Sequence, residues 1–168
     1  MKKVTIDEAL ENTAPQPVAL ICTLKPDGSV NLAPVAWWTY VESVPPMVGF
    51  SMAKESYTCE LVKKTGKLAL CLPGEAIADE VYKCGSVSGR DVDKVKEYGI
   101  KLTEAAVPFP VHSRLVFECT VNQEVIAGDC VFFICAASQI LADESQKHIY
   151  TWGRSKKLEA VNAASGKI

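Results

Sequence analysis

Apolar residues occur along this chain in short runs of strand length, separated by turn-forming residues. Residues 17–24 are nearly all apolar, and the turn Lys25-Pro26-Asp27-Gly28 follows them. Proline and an Asp-Gly pair favour tight turns, so the pattern predicts a hairpin whose returning strand covers residues 29–41. Because proline cannot donate a ladder hydrogen bond, we expect an edge, a bulge or a bend at Pro34.

Helical patterns are confined to the start and the middle of the chain. Thr5 with Glu8 three residues later is a capping box, which marks a helix N-terminus. Ser56 or Thr58 can cap a second helix, and a glycine can end it. The predicted helices cover residues 5–12, 56–66, 75–83 and 90–98, and the further predicted strands cover residues 47–52, 67–72, 114–126 and 129–141.

Hairpin strands come first in this order, helices follow in the middle, and two long strands come last. The order lacks the strict βαβ alternation of a doubly wound fold. An antiparallel barrel or sandwich with two or three peripheral helices fits better. We therefore predict a mainly β protein in which residues 1–168 form a single domain, with a core at about 15–152 and a polar C-terminal tail at 153–168.

Composition excludes several classes of partner. The net charge is −2, so there is no basic excess of the kind that nucleic-acid binding requires. No apolar run reaches the roughly 20 residues needed to span a bilayer. The N-terminus turns acidic at Asp7 and Glu8 before any apolar run, unlike a signal peptide. We expect neither a nucleic-acid nor a membrane partner.

The seven cysteines are irregularly spaced and contain no CxxC pair. Zinc ribbons and thioredoxin-type dithiols therefore lose support. Most of the cysteines lie within apolar runs, where a free thiol behaves as a small buried hydrophobe, so we expect a reducing, cytoplasmic setting. Only two histidines are present, His112 and His148, so the sequence gives little support for a metal site or a histidine-based triad. We assign no metal ligand and no catalytic residue.

Residues 31–40 place aromatic side chains beside the proline-containing strand. Trp37 and Trp38 could form apolar walls for a planar ligand, and backbone groups near Ala33 and Pro34 could meet its polar edge. The alternative is a core strand with ordinary aromatic packing.

Residues 51–58 join a predicted strand to a helix N-terminus. Such termini carry unpaired N–H groups and a partial positive charge, so they bind phosphate. Lys54 and the hydroxyls of Ser56 and Thr58 would complete an anion site. The alternative is a plain N-cap, which any helix needs.

Arg90 and Lys94 are four residues apart in a predicted helix and would share one face of it. A bound anion would relieve the repulsion between them, although a solvated face is the more common explanation. The preceding glycine-containing segment, residues 85–90, follows a helix and lacks the third glycine of a dinucleotide-binding loop.

Together these patterns describe one ligand with an aromatic ring system and a terminal phosphate. In order and spacing, the motifs resemble those of the flavin reductase-like, FMN-binding split-barrel family, with flavoredoxin-type proteins as the nearest members. The resemblance covers roughly residues 15–141. Its motifs are Pro17-Val18-Ala19-Leu20, Asp27-Gly28-x-x-Asn31-Leu32-Ala33-Pro34, Trp37-x-Thr39, Pro45-Pro46-Met47-Val48, Ser56-Tyr57-Thr58-x-Glu60-Leu61, Ser88-Gly89-Arg90-Asp91-Val92-Asp93-Lys94 and Ala127-Gly128-Asp129.

The resemblance implies an antiparallel split β-barrel, usually a homodimer, with FMN near the subunit interface. It implies that Asn31 and the backbone around Ala33 meet the polar edge or the ribityl chain of the flavin, and that Trp37 flanks the flavin and Trp152 closes the site. It also implies that the region of the ribityl phosphate is served by Ser56, Tyr57, Thr58 and Lys94. One departure is Cys130, where many relatives have histidine. The candidate cofactor-binding residues are Asn31, Ala33, Pro34, Trp37, Trp38, Thr39, Ser51, Lys54, Ser56, Tyr57, Thr58, Arg90, Lys94 and Trp152.

The resemblance implies an oxidoreductase that moves electrons from NAD(P)H through FMN to a flavin, a ferric complex or a protein acceptor. One alternative is a flavoredoxin-like electron carrier without its own NAD(P)H site, and another is a flavin-free ligand-binding barrel. A redox-active thiol at Cys84 or Cys130 is a further alternative, but inert thiols are the more common case because reactivity needs a lowered pKa and access.

Overall fold

Ten strands and four α-helices make up the described part of the chain, residues 1–152 and 158–160 of a computed structural model. The helices are α1 (Ile6–Asn12), α2 (Tyr57–Thr65), α3 (Ala78–Ser86, preceded by a 3-10 turn at Glu75–Ile77) and α4 (Lys94–Glu97). The strands are β1 (Gln16–Pro17), β2 (Ala19–Leu24), β3 (Val30–Val35), β4 (Trp38–Ser43), β5 (Pro46–Ala53), β6 (Lys67–Pro73), β7 (Ser113–Ala127), β8 (Cys130–Ala142), β9 (Ile149–Thr151) and β10 (Leu158–Ala160).

Seven strands form one large sheet in the order β3-β2-β6-β7-β8-β5-β4, and all neighbours are antiparallel. β1, β9 and β10 form a second, three-stranded sheet. The predicted mainly β, antiparallel architecture with peripheral helices is confirmed. In the described part of the chain, no helix is long and apolar enough to cross a membrane.

The large sheet has a core on each side. Along β2, Ala19 and Ile21 pack in one core with Phe50 and Phe133, whose rings stack 5.2 Å apart. Leu20, the residue between them, points to the opposite core, which lies beneath α3. A strand covered on both faces is apolar at every position, which explains the continuous apolar run at 17–24.

Local signals in the sequence set the ends of α1 and α2. Thr5 and Glu8 form the predicted capping box. The Ser56 hydroxyl caps α2 by accepting a hydrogen bond from Cys59 N at 3.1 Å. Gly66 ends the helix with a φ of 65°, a left-handed conformation that favours glycine. Ser56 is therefore the cap, rather than Thr58.

The segment predicted as one strand at residues 29–41 forms two. Pro34 lies in β3, an edge strand of the large sheet, as its missing N–H requires. The chain leaves β3 after Val35 and enters β4 at Trp38, on the opposite edge of the sheet. The interruption therefore comes after Pro34 instead of at it.

The two helices beyond β6 also differ from their predictions. α3 continues past Lys83 to Ser86. The predicted helix at 90–98 is only the four-residue α4, because the Asp93 carboxylate accepts a hydrogen bond from Lys96 N and starts the helix at Lys94. Arg90 precedes this helix, so the predicted shared helix face of Arg90 and Lys94 is wrong.

The predicted polar tail, residues 153–168, lies outside the described residues apart from β10, which pairs with β9.

Candidate binding pocket

An open pocket of about 570 Å³ lies between the edge strand β3, the connection from β5 to α2, and the segment from Cys84 to Lys94. Its volume falls within the range of roughly 300–1,000 Å³ that is usual for small-molecule sites. The lining residues are Ala33, Pro34, Val35, Ser51, Met52, Ala53, Glu55, Ser56, Tyr57, Thr58, Cys84, Gly85, Val87, Ser88, Gly89, Arg90 and Lys94.

The N-terminus of α2 forms one wall of this pocket. Ser56, Tyr57 and Thr58 all line it, and the Ser56 hydroxyl satisfies only the N–H of Cys59. The first N–H groups of a helix have no partner within the helix and carry a partial positive charge. This wall can therefore bind an anion such as a phosphate group.

Asn31 lies buried behind the same wall, with only 1% of its surface exposed. Its Nδ2 donates to the Thr58 hydroxyl at 2.7 Å, while its Oδ1 has no hydrogen-bond partner among the described residues. A Cβ at Gly89 would lie 1.9 Å from that Oδ1, so a side chain at this position would force the loop or Asn31 to shift. A buried acceptor without a donor thus lies directly behind the pocket wall, which is costly unless a ligand or water supplies the donor.

Lys94 is 4% exposed, and its ammonium donates to the carbonyl oxygens of Leu32 at 2.8 Å and Cys84 at 2.7 Å. Burial lowers the pKa of this ammonium, and the nearby charge of Lys25 lowers it further. The side chain joins β3 to α3 along the pocket wall.

Arg90 is held differently, at the exposed side of the pocket. Its guanidinium pairs with the Glu60 carboxylate at 2.7 Å, donates to the Glu55 carbonyl at 3.3 Å and lies 5.0 Å from the centre of the Tyr57 ring. These three contacts fix the guanidinium next to the N-terminus of α2, where it adds to the positive potential.

Eight of the fourteen predicted site residues line the pocket, and Asn31 lies directly behind it. The eight are Ala33, Pro34, Ser51, Ser56, Tyr57, Thr58, Arg90 and Lys94.

The other five predicted residues lie outside the lining. Trp37 is 51% and Trp152 44% exposed, and Thr39 is an exposed residue of β4. Trp38 donates its indole N–H to the Pro17 carbonyl at 2.9 Å, and the Lys54 ammonium donates to the Gly128 carbonyl. Their assignment to a cofactor remains a prediction.

The sequence analysis missed most of the wall between Cys84 and Gly89. Gly85 packs at the edge of β3, where an added Cβ would meet Pro34 Cγ at 3.0 Å, and Ser88 lies in the loop after α3. The closely spaced glycines and serines of this segment were the available signal for a close backbone approach. Because they match no standard motif, the sequence pattern alone does not assign them to a site.

Cys84 contributes to the pocket lining, but the residue is only 1% exposed and belongs to the core beneath α3. Burial raises its pKa to about 11, although the Lys94 charge opposes the shift. It is therefore protonated near neutral pH, which fits an inert thiol. Within the described residues, no cluster of three or more possible metal ligands occurs.

Comparison with known proteins agrees with this geometry. Residues 12–159 match the model of the flavin reductase like domain. The chain belongs to the flavin reductase-like family. This is a family of flavin-related oxidoreductases and electron carriers. The resemblance indicated by the sequence motifs is confirmed.

The curated relatives of this flavin reductase-like chain align with it over only part of their own length. An uncharacterized protein of Escherichia coli strain K12, YddH, is 39% identical over 77 residues, which are 46% of this chain and 41% of that protein. The high molecular weight rubredoxin of Moorella thermoacetica is 29% identical over 115 residues, 66% of this chain and 50% of that protein. The chain spans about half the length of the curated relatives it matches.

Solved structures show the same fold over nearly the whole length of this family member. Flavoredoxin from Methanosarcina acetivorans superposes with a TM-score of 0.82 at 22% identity, over 99% of this chain and 95% of that one. An FMN-binding protein from Thermus thermophilus superposes with a TM-score of 0.82 at 19% identity, over 94% of this chain and 93% of that one. Nitrilotriacetate monooxygenase component B from Bacillus cereus superposes with a TM-score of 0.85 at 14% identity, over 99% of this chain and 98% of that one. These likenesses establish the split-barrel fold.

Proposed function

We propose that this domain binds FMN in the pocket at the N-terminus of α2 and passes electrons through it. The observation that carries the proposal is the buried, donor-less Oδ1 of Asn31 beside the helix N-terminus. A ligand that carries both hydroxyl donors and a phosphate would satisfy both features at once. FMN is such a ligand, and the family membership of the chain supports it.

The residues of the pocket fit the parts of this cofactor. Ser56, Tyr57 and Thr58 offer backbone N–H groups and hydroxyls to the phosphate, and Arg90 offers its guanidinium. Asn31 Oδ1 would accept a hydrogen bond from a ligand donor that reaches it beside Gly89. The bound FMN supplies the hydride and electron chemistry, while the protein holds and tunes it.

We further propose that NAD(P)H is the electron donor and that a flavin, a ferric complex or a protein is the acceptor. A second candidate function is that of an electron carrier without its own nicotinamide site. It is favoured by the absence of histidine among the pocket-lining residues that the structure describes, and by the fold shared with a flavoredoxin. In that case, the redox partner is another protein.

The proposal includes a homodimer with the cofactor near its interface. Around Tyr40, an apolar groove of about 560 Å³ opens along β4 and β5 and is lined by Val41, Met47, Phe117 and Ile140 among others. Tyr40 is 63% and Ile140 47% exposed in a single chain. Contiguous exposed apolar surface of this kind marks an interaction site.

The setting that we propose is the cytoplasm. All seven cysteines are free thiols, and six of them are buried. Such a population is typical of reducing compartments.

The visible spectrum of the purified protein tests FMN binding. We expect a yellow protein, or an apoprotein that takes up one FMN per chain with quenching of the flavin fluorescence. A colourless protein that fails to bind added FMN refutes both redox functions and leaves the flavin-free barrel.

Anaerobic mixing with NADH or NADPH then separates the two candidates. Bleaching of the flavin absorbance within seconds by either nucleotide supports the reductase. Bleaching by dithionite alone supports the carrier.

A further inference from the structure

Lys94 carries a positive charge in the pocket wall that no carboxylate balances. Among the described residues, no aspartate or glutamate lies within ion-pair distance of it, and the groups that shift its pKa are the Cys84 thiol and the like charge of Lys25. A buried charge without a counter-ion is unfavourable, because no ion pair compensates its loss of hydration. Perturbed groups of this kind concentrate at functional sites.

Two backbone carbonyls hold the ammonium in place. Leu32 belongs to the edge strand β3, and Cys84 lies in the last turn of α3. The final carbonyls of a helix lack partners within it and carry a partial negative charge. The lysine therefore stabilises the end of α3, and it cannot turn toward a phosphate without leaving both carbonyls unpaired.

Arg90 differs from Lys94 in a way that separates their roles. The Arg90 charge is paired with Glu60, and its side chain is 47% exposed. Solvent and the ion pair screen its field, so it acts mainly on groups that it touches. The field of Lys94 is screened much less because the ammonium is buried.

We propose that Lys94 is a positioning residue that fixes a positive charge beside the bound flavin and thereby raises the flavin's reduction potential. This inference rests on the proposed FMN binding. In the half-reaction, the oxidised ring takes up two electrons from a reductant and one proton from solvent, and its charge becomes more negative by one. A fixed positive charge stabilises that form relative to the oxidised one.

The test compares Lys94→Met with the control variant Lys83→Met, which removes an exposed lysine of α3. Midpoint potentials are measured in the presence of reference dyes, with dithionite as reductant, for protein loaded with FMN or with riboflavin. We expect Lys94→Met to reduce the preference for the reduced flavin at least tenfold, which is about 30 mV for a two-electron couple. The loss should be equal for the two flavins, and Lys83→Met should show none.

A measurement on the wild-type protein covers the case in which Lys94→Met fails to fold. The ammonium of a buried lysine exchanges its protons slowly, so lysine side chains labelled with ¹⁵N should show one protected signal. We expect that signal to shift when the riboflavin-loaded protein is reduced, although riboflavin carries no phosphate.

Three outcomes overturn the inference. The first is flavin binding with an unchanged potential in Lys94→Met, and the second is an unshifted ammonium signal on reduction. The third is a loss of affinity in Lys94→Met for FMN but not for riboflavin, which identifies the lysine as a phosphate ligand. Failure of the wild-type protein to bind either flavin overturns the proposed function and this inference with it, whereas the three outcomes above leave the proposed function standing.

Discussion

Gly89 and Asn31 are in contact so close that position 89 has no room for a side chain. A Cβ there would lie 1.9 Å from Asn31 Oδ1 and 2.9 Å from its Cγ. Since the asparagine is buried and hydrogen-bonded to Thr58, it cannot move aside without breaking that bond. This contact joins the loop after α3 to the hairpin strand β3, and it shapes the wall of the pocket.

Gly89→Ala should therefore weaken FMN binding at least tenfold while the domain still folds, because the loop must shift away from Asn31. The affinity is measured by fluorescence titration and the fold by circular dichroism. Asn31→Ala removes the clashing atom, so the double variant should lose less than the sum of the two single variants. Additive losses would contradict a direct clash between the two positions.

A second prediction concerns the phosphate end of the pocket. Arg90→Met should weaken FMN binding by about 1.5–3 kcal/mol, the usual contribution of a hydrogen bond to a charged group. It should leave riboflavin binding unchanged, because riboflavin lacks the phosphate. The matched control is Lys63→Met, which removes a partly exposed basic residue near the other end of α2. Equal losses for the two flavins would show that Arg90 does not serve the phosphate.

Local signals were enough to predict the parts of the fold that depend on neighbouring residues. The capping box at Thr5, the glycine end of α2 at Gly66 and the edge position of Pro34 follow from backbone chemistry within a few residues. The order of the strands in the sheet and the pairing of β5 with β8 depend on contacts far apart in the chain. The sequence pattern predicted the class of architecture but not these pairings.

The pocket residues, like the strand pairings, could be predicted only where a local motif marks them. Residues of the strands and of the α2 cap were recognised because each belongs to a local motif. Arg90 and Lys94 were assigned to a common helix face, yet the Asp93 cap starts α4 after Arg90 and lets Lys94 enter the core. Whether a lysine is buried depends on the carbonyls that tertiary packing brings to it, here those of Leu32 and Cys84.

The third prediction concerns thiol accessibility. Cys130 is the only partly exposed cysteine, and burial raises the pKa of Cys119 and of Cys135 to about 12. A thiol reagent at neutral pH should therefore modify one site in the native protein and seven after denaturation, as counted by intact-protein mass. Cys130→Ser should abolish the native modification. Rapid labelling of Cys84 in the native protein would contradict the geometry, and its suppression by FMN would place that thiol in contact with the cofactor.

A fourth prediction concerns the dependence of stability on pH. Burial lowers the pKa of His148, against the opposing hydrogen bond to the Val18 carbonyl, while the charge of Arg114 adds to the lowering. The unfolded chain therefore binds a proton more readily than the folded one as pH falls below about 6.5. The contribution of this group should be constant above about pH 7.5 and should become destabilising as the pH falls through 6.5 toward the lower folded pKa.

Urea unfolding of the wild type and of His148→Gln between pH 8 and pH 5.5 checks this prediction. We expect the variant to lose less free energy of unfolding over that interval, even if its stability at pH 8 is lower. His112→Gln measures the effect of removing the other histidine. Identical slopes for the wild type and His148→Gln would show that His148 is protonated equally in both states.

The last prediction concerns the apolar groove around Tyr40. If this groove is the interface between two copies of the chain, Ile140→Glu should convert the dimer into a monomer, because a carboxylate buried against apolar side chains is not compensated. Ile126→Glu is the matched control, since Ile126 is 71% exposed near the end of β7 and does not line the groove. Light scattering should give twice the 18.2 kDa chain mass for the wild type and for Ile126→Glu, and the single mass for Ile140→Glu. A wild-type monomer at micromolar concentration would show that the groove serves something other than a second copy.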